Sequence, residues 1–166
     1  MITIDKILNI THDKEFREAA MELFMHQATT CAPYAEYLSL LGVDPQSIRC
    51  IEEIPFLPIE LFKSSDVYCG EGAPEIVFTS SNTGATQPSR HLMASLETYR
   101  EAFTRAFEQF YGEPRQWSIY GLLPNYLERE GSSLVYMAEH LIKSSGGGGF
   151  YLHDYEKLLR DMSRDP

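Results

Sequence analysis

Residues Pro74–Leu92, PEIVFTSSNTGATQPSRHL, decide how this chain is read. The stretch opens on an apolar run, Ile76-Val77-Phe78, and then breaks into Thr79, Ser80, Ser81, Asn82, Thr83, Gly84, Ala85 and Thr86. It closes on Pro88-Ser89-Arg90-His91. A β-branched and aromatic run followed by Ser, Thr, Asn and Gly predicts a strand that ends in a loop. A loop of this composition offers hydroxyls and unhindered backbone N–H groups, which suits an anion. The window from Ile76 to Leu96 holds no Asp or Glu, although 24 of the 166 residues are acidic. In a chain of net charge −10, this is where a polyanion meets least repulsion. The competing reading is a plain connector, since Ser/Thr/Gly clusters commonly just join elements.

Outward from that stretch, 166 residues with 43% hydrophobic and 12% aromatic content are enough for a folded globule with a core. The acidic balance, with a pI near 4.9, argues against nucleic acid and anionic membranes as partners. No apolar run is long enough to predict a spanning helix. The opening MITIDKILNITHDKEF has charges inside its apolar stretch, unlike a signal peptide. Cys31, Cys50 and Cys69 are odd in number and too widely spaced for a metal pair, which predicts free thiols in a reducing cytoplasm. The five histidines show no zinc-binding spacing. There is no G-x-S-x-G elbow. The glycine run 146–149 lacks the dinucleotide fingerprint and reads as a linker.

Apolar periodicity predicts a helix over 11–30, capped by Thr11, and a second over 34–41 after a break at Pro33 and before a stop at Gly42. Asp44-Pro45 opens a short turn. Ile54-Pro55-Phe56-Leu57-Pro58 is extended, because a residue before proline avoids the helical region. Pro58 then suits the first turn of a helix over 59–64. After the loop come a short strand at His91-Leu92-Met93 and a helix over 96–110 behind Ser95. A buried strand over 116–123 follows, then a helix over 133–143 capped by Ser132, a strand over 150–152, and a helix over 155–162 capped by Asp154. The expected fold class is α/β: a helical region over 1–73, then βα units over 74–166 that build a parallel or mixed sheet.

The loop TSSNTGATQPSRH resembles the Ser/Thr/Gly-rich phosphate loop of the adenylate-forming (ANL) enzymes. It is most similar to that of the LuxE-like acyl-protein synthetases and the phenylacetate–CoA ligase relatives, whose pattern runs T-S-S-G-T-T-G and then Pro-Ser-Arg/Lys-His. Asn82 stands where glycine is usual, Thr83-Gly84 fits only with a one-residue slip, and Ser89-Arg90 replaces a frequent lysine. IPFLPIELFK at 54–63 resembles the family segment that precedes the first strand. Within it Lys63 is either a solvated lysine or a positive charge near the loop. LLPNYLEREGSSL at 122–134 resembles the segment whose aromatic residue adjoins the acyl substrate, which points to Tyr126.

The resemblance implies ATP-dependent activation of a carboxylic acid substrate, with Mg2+, and transfer of the acyl group to CoA or a protein thiol. Thr79, Ser80, Ser81, Asn82, Thr83, Gly84, Thr86, Ser89 and Arg90 would hold the ATP phosphates, and Tyr126 would meet the acyl group. The chain matches the opening portion of a member, so residues 1–166 alone are expected to form no acyl-adenylate. A sheet cut part-way through would leave an edge and an apolar face, which implies a homodimer. The alternative is a non-catalytic α/β binding or assembly module that keeps the fold.

Overall fold

Helices alone occupy the chain as far as Ser64, strands and helices share the rest from Ile76 onward, and the fold is α/β. The computed structural model describes residues 3–80, 87–123 and 130–164. Two units divide the chain, Met1–Ser95 and Leu96–Pro166. The strands that flank the loop fall within the first unit.

The first unit begins with α1 (Ile4–Leu8), which the sequence reading did not anticipate. Helix α2 (Asp13–Thr30) starts one residue after His12 rather than after Thr11. The Thr11 N–H instead donates to the Glu15 carboxylate at 3.0 Å, and the His12 N–H donates to the same group at 3.3 Å. These contacts, the Thr11 bond foremost, lower the Glu15 pKa. Pro33 does not break the chain. It sits in the first turn of α3 (Ala32–Leu40), where its missing N–H is not needed. Gly42, at φ +67°, ends α3 as expected. The Gly42 N–H donates to Ser39 C=O and the Val43 N–H to Leu38 C=O, the doubled bond pattern of a glycine-terminated helix. Phe24, Ala28, Cys31, Tyr34 and Leu38 form the buried cluster between α2 and α3. Helix α4 (Leu61–Ser64) is shorter than predicted.

Strands β1 (Ile76–Thr79) and β2 (Arg90–Met93) pair antiparallel. The connection between them, residues 80–89, is shorter than the dozen or more residues that a parallel crossover requires. In the second unit α5 (Leu96–Tyr111) precedes β3 (Ser118–Gly121). Helix α6 (Ser133–Ser144) then crosses over to β4 (Gly147–Phe150), which runs parallel to β3. Helix α7 (Tyr155–Met162) follows. The Ser132 Oγ accepts from the Val135 N–H and an Asp154 carboxylate oxygen from the Lys157 N–H, so both predicted caps are present.

Two sheet features differ from expectation. The described strands form two separate two-stranded sheets rather than one. The glycine run is also strand rather than linker. At Gly148 φ is +99°, and a Cβ there would lie 2.0 Å from the Ile119 carbonyl oxygen. The backbones of β3 and β4 thus approach at a point where no side chain fits, and this is why residue 148 is glycine. Among the described residues no helix is long and apolar enough to cross a membrane.

Candidate functional site

The β1–β2 ladder builds the base of the Ser/Thr loop. Phe78 opposes His91 and Thr79 opposes Arg90. The pairing then continues one step beyond the strands. The Ser80 N–H donates to Ser89 C=O at 3.1 Å, and the Ser89 N–H donates to Ser80 Oγ at 3.0 Å. Thr79, Ser80, Ser89 and Arg90 are therefore gathered at one end of the hairpin. The Ser80 hydroxyl accepts a bond inside the hairpin, so its oxygen helps shape the base. Ser81, Asn82, Thr83, Gly84 and Thr86, together with Tyr126, lie outside the described residues.

Arg90 has a partner that sequence reading missed. Its guanidinium pairs with the Asp66 carboxylate. The window around the loop is free of acid in sequence, but the fold brings one back from the segment after α4. The pair is 44% and 57% exposed, so its own contribution to stability is small. A guanidinium has five N–H donors in a rigid fork, and one carboxylate does not use them all. Next along β2, the His91 ring stacks on Phe62 of α4, with centroids 6.0 Å apart and planes 9° from parallel. Lys63 follows Phe62 on α4 and is exposed.

Phe62 also lines a cavity of about 560 Å³ in the same unit. Its walls come from α2 (Leu23, Phe24), from Tyr34 and from the extended Ile54–Leu57 run. The run spans rather than folds because residues before proline are held extended. The Tyr34 hydroxyl donates to Pro55 C=O at 2.9 Å and anchors the run to α3. Burial raises the Tyr34 phenol pKa. Sequence periodicity gave the apolar face of α2 but not this concavity, whose walls meet only in three dimensions.

Cys31 and Cys69 share the cavity wall. All three cysteines are free thiols. Burial, then the neighbouring Cys31 sulfur, push the Cys69 thiol from 9.0 up to about 11. In the unfolded chain this thiol ionises first, near pH 9, while the folded chain still holds its proton. The Cys69 contribution to stability is therefore complete below about pH 8 and is lost as pH rises towards 11. The thiolate is the reactive form. At pH 8 the folded protein should alkylate Cys69 with iodoacetamide about 100-fold more slowly than the urea-unfolded chain, the ratio of thiolate fractions. Peptide mass spectrometry over time reads the two rates, and equal rates would show that the site does not hold the proton.

No protein-family model, curated protein or solved structure matches this chain.

Proposed function

We propose that this chain is the N-terminal portion of an ATP-dependent, acyl-adenylate-forming enzyme and that the 79–90 loop holds the ATP phosphates. The observation that supports this reading is the hairpin base: a donor-rich segment is mounted between paired strands with Arg90 at its foot. In such an enzyme a carboxylate attacks the α-phosphate and pyrophosphate leaves. The loop would act electrostatically, with N–H and hydroxyl donors countering the charge on the phosphates in line with the attack. Thr79 and Arg90 are the described groups that would take part, with Ser80 and Ser89 fixing the base. The Asp66 partner of Arg90 favours a second reading, a non-catalytic module that keeps the fold and has its cation neutralised.

Pyrophosphate titration, followed by backbone amide shifts, separates these readings. Arg90→Ala should weaken binding by about 1–2 kcal/mol through loss of a charge-assisted contact, and should flatten the salt dependence. Asp66→Asn should strengthen binding by up to about 1 kcal/mol, because it frees the guanidinium. If the Thr79, Ser89 and Arg90 amides do not move, or all three proteins respond alike, the segment is a connector.

A further inference from the structure

We propose that the cavity between α2, α3 and the Ile54–Leu57 run is a binding site for a small, neutral aromatic molecule. At about 560 Å³ it lies within the range of small-ligand pockets, about 300–1,000 Å³. Five aromatic rings line it: Phe16, Phe24, Tyr34, Phe56 and Phe62. Phe24 and Tyr34 already meet edge to face, with centroids 6.2 Å apart and planes at 74°, the arrangement that an inserted ring would extend.

Charge selects the occupant further. No Lys, Arg or His is among the lining residues, so a buried carboxylate or phosphate would have no counter-charge there. The chain's net charge of −10 adds to that repulsion. The one charged lining residue, Glu52, is held by Arg17 Nη1 at 2.7 Å and is not free to recruit a cation.

The wall also disfavours an extended peptide. The lining is mostly hydrocarbon, and Pro55, between the lining residues Ile54 and Phe56, has no N–H and already accepts the Tyr34 hydroxyl at its carbonyl. A peptide backbone entering here would leave polar groups unpaired. Phe56 lines the cavity yet is 77% exposed, which places an aromatic ring at the mouth where it can close over a bound one. The site is distinct from the phosphate-loop reading, which calls for an anion, and the two stand or fall separately.

The test uses 2-naphthol and 2-naphthoate, the same ring system without and with a negative charge at neutral pH. Isothermal titration should give saturable 2-naphthol binding and at least about tenfold weaker 2-naphthoate binding. Bound 2-naphthol should slow alkylation of Cys69, which shares the wall. Ala20→Phe, which fills the cavity from α2, should weaken 2-naphthol about tenfold or more, with helical circular dichroism retained. Phe56→Ala removes an exposed ring, which makes it the safer variant for folding, and should weaken binding severalfold. The proposal is overturned if 2-naphthol does not saturate, if the two ligands bind alike, or if neither variant changes affinity. It is also overturned if the chain sediments as a dimer whose dissociation alone opens the cavity.

Discussion

Gly148→Ala is expected to destabilise the protein by about 3–4 kcal/mol. Two costs combine at this position. The backbone sits at φ +99°, where an L side chain is strained, and the new Cβ would meet the Ile119 backbone at 2.0 Å. A flexible side chain could swing aside, but a carbonyl inside a paired strand cannot do so without giving up its ladder bonds. A loss of this size corresponds to a fall in Tm of about 10 °C for a chain of this length. Trp117, the single tryptophan, is well placed to report it. Its indole N–H donates to Tyr111 C=O at 2.7 Å, and its own carbonyl accepts from the Gly146 N–H at 2.9 Å. Gly42→Ala is the control, because Gly42 has φ +67° and open space around the added Cβ. It should lose only the left-handed strain, about 1–2 kcal/mol. If the two variants melt together by tryptophan emission, the close approach of β3 and β4 is refuted.

The second large effect belongs to the first unit. Leu38→Ala should cost about 3–4 kcal/mol, the transfer energy of the lost methyl and methylene groups plus the cavity left behind. Leu38 is 1% exposed in the cluster with Phe24, Ala28, Cys31 and Tyr34. Leu40, two residues on in the same helix, is 80% exposed, and Leu40→Ala should change stability by no more than about 0.5 kcal/mol. Thermal melts followed by far-ultraviolet circular dichroism compare the two. Because Phe24, Cys31 and Tyr34 also wall the cavity, Leu38→Ala should loosen that wall and make Cys69 more reactive. Equal melts for the two variants would mean that α3 does not pack on α2 through Leu38.

Much of this architecture could be read directly from the residues. The periodic apolar faces of α2, α5 and α6 are long enough to outweigh local preference, and Ser132 and Asp154 announce α6 and α7 by cap chemistry. The strand before the Ser/Thr loop and the one after it were also visible, as β-branched and apolar runs around a polar break. The glycine strand was hidden because strand propensity is written in side chains, and β4 is built where three of them are missing. Helix α1 is a single short turn in a charged stretch with too few residues to show a period. At the loop, the acid-free window was real along the chain, but Arg90 finds Asp66 from 24 residues away, a distance that no local pattern encodes. The cavity failed to show for the same reason, since it joins α2, α3 and a proline-held run whose spacing in sequence carries no signal of their meeting.

The paired bonds between Ser80 and Ser89 have a consequence for the thermodynamics of any ligand of the loop. Joining the ends of a connection of this length removes conformational freedom worth on the order of 2 kcal/mol, by the logarithmic dependence of closure entropy on length. Because the latch forms when the hairpin folds, that loss belongs to folding and precedes any binding at the loop. Ser80→Ala removes the acceptor of the second bond and moves part of the loss to the binding step. Such a variant should bind with a less favourable entropy and a nearly unchanged enthalpy, the signature of a clasp rather than of a contact.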